Sequence, residues 1–201
     1  MDIKPVTLVG NHVRLAPMSM DYFDQLCSAG LNESLWQFNP MFVRNRDDMH
    51  RYIEIALRSR DDGTALPFVT ILKFGNKLVG STRYLNIDRV NRRLEIGSTW
   101  IVPEWQNTYV NSETKYLMLA HAFETLGCIR VEFKTDSLND KSRKALAGIG
   151  AKEEGIFRNH MIMPDGRLRH SVYFSIIKSE WPEVKTKLEQ RMDWNSGSGP
   201  A

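Results

Sequence analysis

The stretch Leu94–Leu126, LEIGSTWIVPEWQNTYVNSETKYLMLAHAFETL, holds the residue types and spacing best suited to chemistry. It reads as a strand, a short loop and a helix. A helix N-terminus presents unpaired backbone N–H groups and the positive end of a dipole, which makes an anion site, for a pyrophosphate in particular. The loop Gln106–Asn111 is polar and contains no acidic residue, which suits a phosphate. An ordinary capped helix has the same features. Glu95 stands mid-strand between Leu94 and Ile96, where a partly buried carboxylate can act as a base or simply pair with Arg83 or Arg93. His160, in a late strand, has an imidazole in the right titration range, though a lone histidine is often only structural.

These residues need elements to hold them. His12–Pro17 alternates as a strand, and helical patterns follow at about 19–29 and 46–60. Leu66–Phe74 and Lys77–Ile87 form a hairpin about Gly75-Asn76, and Arg93–Val102 is the next strand. Ser112–Leu126 is the clearest helix. Tyr116, Leu119, Ala120 and Phe123 line one face, Asn111 caps it, Glu113 complements its dipole and Gly127 stops it. Then come a strand at Cys128–Thr135, a helix from Ser137 or Asn139 to Ile149, strands at about 152–163 and 168–178, and a helix at about 180–192. Three consecutive strands argue for a mixed α/β sheet and against a doubly wound one.

The 201 residues fit one domain, at 42% hydrophobic and 25% charged residues. A charge of +3 is only mildly basic, and no dense basic or stacked aromatic pattern indicates a nucleic-acid partner. Arg83, Arg89, Arg92 and Arg93 read as a solvated strand-turn face. Cys27 and Cys128 are too far apart in sequence to suggest a disulfide framework, and no His/Cys spacing suggests a metal. No apolar run approaches the roughly 18–20 residues of a membrane helix, and the N-terminus lacks a signal-peptide core. The expectation is a cytoplasmic protein with no membrane partner. Residues 1–192 read as a single domain and 193–201 as a flexible tail.

The order of elements, together with VNSETKYLMLAHAFETLG, RVEFKTDSLNDKSRKAL and GAKEEGIFRNHMIMPDGRLRHSVYFSI, resembles the GNAT superfamily of acetyltransferases. The resemblance is to its RimJ/RimL-like branch of ribosomal-protein N-terminal acetyltransferases, over about residues 7–190. It implies a central, mostly antiparallel sheet, splayed between strands 4 and 5 and flanked by helices. It also implies acetyl-CoA as co-substrate, no metal, and an amine acceptor, either a peptide N-terminus or a small amine. A homodimer, common in the family, is a further expectation. The family's pyrophosphate loop, Q/R-x-x-G-x-G/A, reads here Gln106-Asn107-Thr108-Tyr109-Val110-Asn111. The glutamine matches, and Tyr109 and Asn111 replace both glycines.

By this resemblance the CoA-binding set is Gln106, Asn107, Thr108, Tyr109, Val110, Asn111 and Ser112, with Trp100, Ile101 and Val102 pairing with the pantetheine arm through their backbone. Gly97 suits a bulge or close backbone approach. Acetyl transfer needs a base for the ammonium, a donor for the oxyanion and help for the leaving thiolate. Glu95 matches a family base, and His160 is the second candidate. The late-strand glutamate of the RimL branch aligns with Met161, so that role does not carry over. Trp100 or Val102 N–H is the oxyanion donor. The family's acid tyrosine aligns with Leu146. Ser142, three residues after Asn139, matches the branch's serine and is the candidate acid or thiol-contacting group, while Asn139 bonds pantetheine or caps the helix. Arg143 and Lys144 lie where they meet the 3′-phosphate. Trp36, Phe38 and Asn39 border the acceptor pocket. The lost glycines and tyrosine leave a second reading open, a catalytically inactive CoA-binding or scaffold protein.

Overall fold

A computed structural model describes residues 1–195. Eight strands form one sheet in the order β1-β2-β3-β4-β5-β6-β8-β7. They are β1 (Leu8–Val9), β2 (Val13–Pro17), β3 (Leu66–Leu72), β4 (Leu78–Asp88), β5 (Arg93–Ile101), β6 (Arg130–Asp136), β7 (Lys152–Ile162) and β8 (Leu168–Ile177). All neighbours pair antiparallel except β5 and β6, which run parallel. The helices are α1 (Phe23–Gly30), α2 (Arg46–Asp61), α3 (Tyr109–Ala120), α4 (Asp140–Gly148) and α5 (Trp181–Asn195). The mixed α/β class expected from the sequence is the one observed. Helix α5 runs to Asn195 rather than stopping near 192, and the rest of the expected tail lies outside the described residues.

Strand β4 shows how the layers are built. Its residues 78–84 are all buried, so both faces of the sheet are covered. Successive side chains of a strand point to opposite faces. Ser81 meets the Tyr52 hydroxyl at 3.2 Å, and the Arg83 guanidinium lies 4.3 Å from the Tyr52 ring centroid, both on α2. Thr82 and Tyr84 face the other way: the Tyr84 hydroxyl donates to the Met118 carbonyl of α3 at 2.7 Å. Helices α1 and α2 therefore cover one face, and α3, with α5 packed against it, covers the other. Arg83 is 6% exposed. It belongs to the core, stacked on an aromatic ring, and not to a solvated arginine face.

The parting of strands lies between β5 and β6. Only Arg93, Leu94 and Glu95 pair with Arg130, Val131 and Glu132, after which β5 continues to Ile101 and β6 to Asp136 without pairing each other. These are the fourth and fifth strands of the sequence reading; the short β1 raises the count by one. Strand β5 also gains an extra residue against β4 between Gly97 and Trp100, where Ser98 takes a φ of 48°. This bulge fits the place of Gly97: a Cβ there would come within 2.9 Å of Glu95 Oε1 and 3.2 Å of Leu85 Cδ1.

Candidate functional site

Helix α3 starts three residues earlier than its sequence pattern suggests. Thr108, not Asn111, is its cap: Thr108 Oγ1 accepts from Val110 N–H at 3.3 Å and donates to the Trp105 carbonyl at 2.8 Å. Tyr109 and Asn111 lie within the first helical turn. The glycine positions of the family pattern therefore have helical backbone here, which any residue adopts. The left-handed conformation falls instead on Asn107, with φ 61°, and asparagine tolerates it better than most residues. The Tyr109 ring turns to His12 (centroids 4.8 Å apart) and Trp105 (5.9 Å). Glu113 does not serve the dipole. It is 2% exposed and accepts the His12 N–H at 3.0 and 3.2 Å, tying α3 to the turn before β2.

Around this N-terminus the positive charge comes from elsewhere than the sequence indicates. Gln106 donates through Nε2 to the Ile101 carbonyl at 2.7 Å and accepts from Lys141 of α4, so a lysine reaches the loop itself. A cleft of about 650 Å³ opens beside Asn107, Thr108, Asn111 and Ser112, walled by α4 and by Lys187, Gln190 and Arg191 of α5. Arg143 is engaged with Glu153 at 3.4 Å and the Ser137 carbonyl at 3.5 Å, and Lys144 is exposed on α4. Neither lines that cleft. The i,i+4 spacing of Lys187 and Arg191 was the sequence signal for them, but it carries no address until α5 docks.

The edge of β5 is more selective than three consecutive residues imply. Val102 N–H donates to the Val79 carbonyl at 2.9 Å, and the Trp100 carbonyl is turned to Gly80, where a Cβ would lie 2.3 Å from it. Alternate residues of an antiparallel strand bond to the same neighbour. Ile101 therefore directs its N–H and C=O to the opposite, open edge. Trp100, paired with Ser81, faces β4 as Val102 does, so neither N–H is a free oxyanion donor.

On the α1/α2 face, where the strands part, several polar side chains gather. Glu95 is 2% exposed; its Oε2 accepts from Asn86 Nδ2 at 2.8 Å and lies 3.7 Å from Lys134 Nζ of β6. The Lys134 ammonium lies 5.9 Å from the Tyr173 ring centroid. The His160 ring is 5.7 Å from the same ring, and its Nδ1 is 3.0 Å from Ser171 Oγ. Burial, then the Lys134 and Arg169 charges, push the His160 pKa down, and Glu95 opposes them. These influences favour the neutral imidazole. Glu95 and His160, separated by 65 positions (160 minus 95), thus share one electrostatic neighbourhood.

The segment between α1 and α2 closes over this face. Arg169 of β8 donates to the Phe38 carbonyl at 3.2 Å, and Asn39 accepts the Met41 N–H at 3.2 Å. Trp36 behaves differently from its neighbours. It is 1% exposed, its Nε1 donates to the Gly30 carbonyl at 2.8 Å, and its ring packs on Tyr52 and Trp100. It supports the segment from below. On α4, Asn139 accepts the Ser142 N–H at 3.0 Å and so caps the helix. Leu146, at the family's tyrosine position, is 7% exposed in the core.

Comparison with known proteins gives this geometry a family. The model of the acetyltransferase (GNAT) domain matches residues 12–152. A Bacillus subtilis (strain 168) protein named "Putative ribosomal N-acetyltransferase YdaF" is 34% identical over 114 residues, spanning 57% of this chain and 61% of that protein. The crystal structure of a GCN5-related N-acetyltransferase from Brucella melitensis superposes with a TM-score of 0.87 at 28% identity, covering 94% of this chain and 86% of that one. Mycobacterium smegmatis RimJ in complex with CoA-disulfide shares the fold, with a TM-score of 0.81 at 22% identity over 92% of this chain and 94% of that one. With a domain match over most of its length, the chain belongs to the GNAT acetyltransferase family.

Proposed function

We propose that the chain is an N-acetyltransferase that moves an acetyl group from acetyl-CoA to a primary amine by direct attack in a ternary complex. The observation that carries this reading is the parting of β5 from β6 beside the α3 N-terminus, with buried Glu95 at the last paired position. Acetyl-CoA supplies an acyl group activated as a thioester. The chain's own residues hold it, orient the amine and move protons. Ile101 offers its N–H to the gap as a strand edge does, while its C=O is held by Gln106 Nε2. The first-turn N–H groups of α3, with Asn107 and Thr108, face the pyrophosphate, and Lys141, Lys187 and Arg191 balance its charge. Glu95 removes the proton from the attacking amine, with neutral His160 as the second acceptor on the same face. Ser142, with Asn139 fixing its turn of α4, borders the pantetheine arm. Phe38 and Asn39 border the acceptor, and Trp36 positions them.

The name of the Bacillus subtilis relative favours a protein N-terminus as the acceptor over a small-molecule amine. An inactive scaffold is the weaker reading, because the lost glycines fall where the backbone is helical and needs no glycine.

Calorimetric titration of acetyl-CoA into the protein tests the binding part, with micromolar affinity expected. Lack of binding at millimolar ligand overturns the proposal. Thr108→Asp keeps a side-chain cap and adds a negative charge at the proposed pyrophosphate position. It is expected to weaken acetyl-CoA binding about tenfold or more, as a like charge at a phosphate site does. Unchanged affinity would move the pyrophosphate elsewhere.

A further inference from the structure

Lys115 is 5% exposed on α3, and its Nζ donates to Thr99 Oγ1 at 2.8 Å. It also lies 5.9 Å from the Phe133 ring centroid. Thr99 belongs to β5 and Phe133 to β6, and both stand beyond the last paired residues, Glu95 and Glu132. The amine therefore lies across the gap, with one parted strand on each side. It has no carboxylate partner among the described residues, because the nearby acids are committed elsewhere. Glu113 holds the His12 N–H, Glu95 meets Asn86 and Lys134, and Glu132 meets Arg93 and Arg130. A cation buried without a counter-charge is strongly disfavoured, so its place between two strands that do not pair with each other points to a ligand that completes it. Burial alone brings its pKa down to about 7.

Building on the acetyl-transfer reading, we propose that Lys115 receives the sulfur of CoA as the thioester breaks. The amine nitrogen forms a bond to the acetyl carbon, the C–S bond breaks, and its electron pair leaves on sulfur. The Lys115 ammonium donates to that sulfur and passes it a proton, and the lysine regains one from solvent. Glu95 takes the proton lost by the attacking nitrogen. An acid with a pKa near 7 can protonate a thiolate whose conjugate thiol has a pKa of about 8.5. The arrangement puts the two proton transfers on opposite faces of the sheet. Glu95 pairs across from Leu85 on the α2 face, whereas Lys115 enters from α3. It also supplies an acid where Leu146 leaves none.

The test titrates CoA and desulfo-CoA, which lacks the sulfur, into the wild-type protein and Lys115→Met. The variant is expected to lose about tenfold in CoA affinity, the scale of one charge-assisted hydrogen bond, and to bind desulfo-CoA as the wild type does. That unchanged binding also shows the variant is folded. Equal losses for both ligands would assign Lys115 to the arm or to packing and overturn the proposal. So would no loss for either. Wild-type protein that binds neither ligand would instead overturn the acetyl-transfer reading itself.

Discussion

Glu95→Gln is expected to lower the acetylation rate about 100-fold, the lower range for removing a general base, while acetyl-CoA affinity stays unchanged. The substitution is close to isosteric. A glutamine oxygen can still accept from Asn86 Nδ2, which now sits 2.8 Å from Oε2, and the space kept by Gly97 beside Oε1 remains. What disappears is a carboxylate able to take a proton, at the point where β5 and β6 part. Steady-state rates with an accepted amine, set beside calorimetric titration of acetyl-CoA, separate the two effects. A rate equal to wild type across the pH range would remove Glu95 from the mechanism and leave His160 as the base. A parallel loss of acetyl-CoA affinity would mean that Glu95 shapes the gap rather than the chemistry.

The largest expected loss of stability comes from Asp136→Ala. The Asp136 side chain is fully buried at the end of β6. It accepts from Arg167 at 2.6 Å and from Leu138 N–H at 3.0 Å, and lies 3.9 Å from Arg169 Nε. Removing it leaves Arg169, 4% exposed, without its counter-charge. Breaking a buried pair from one side costs about 3–5 kcal/mol, a fall of about 10 °C in melting temperature for a domain of this size. Arg169 also holds the Phe38 carbonyl, so the segment between α1 and α2 should loosen as well. Thermal denaturation of wild type and variant at neutral pH measures the loss. A fall of only a degree or two would show that Arg169 finds another partner.

The same residue sets a pH dependence. Burial pushes the Asp136 carboxyl up, but hydrogen bonds from Arg167 and the Leu138 N–H, with the Arg167 and Arg169 charges, outweigh it and hold the pKa below its ordinary value. A carboxylate with a lowered folded-state pKa adds stability above its unfolded value of about 3.9. That contribution is lost as pH falls through the folded value. Wild type should therefore lose stability in acid more steeply than Asp136→Ala does, and the two melting curves should draw together below about pH 4.

Signals carried by neighbouring residues were legible in the chain itself. The strands at 66–72, 93–101 and 130–136, the α2 pattern, Gly127 ending the α3 region at φ 68° and Asn139 capping α4 all follow from period, propensity and caps within a few positions. So did the family, through blocks of sequence in a fixed order. The start of α3 is ambiguous in the sequence because Asn111 and Thr108 are both good caps, and only the folded loop shows which one accepts the N–H.

The composition of the site was decided in three dimensions. Helix α3 is covered by the sheet on one side and α5 on the other, so residues 112–115 are all buried and a one-sided apolar stripe does not describe it. That double packing is why Lys115 is buried although lysine is among the most exposed residue types. Trp36 and Arg83 turned inward for a similar reason, each filling space against Tyr52 that belongs to another element. Glu95 and His160 share one electrostatic neighbourhood only because the strand order β5-β6-β8-β7 and its registers bring them there. Local periodicity specifies which face a residue occupies within its own element. Which element lies opposite, and at what register, depends on contacts between distant parts of the chain that no short window of sequence contains.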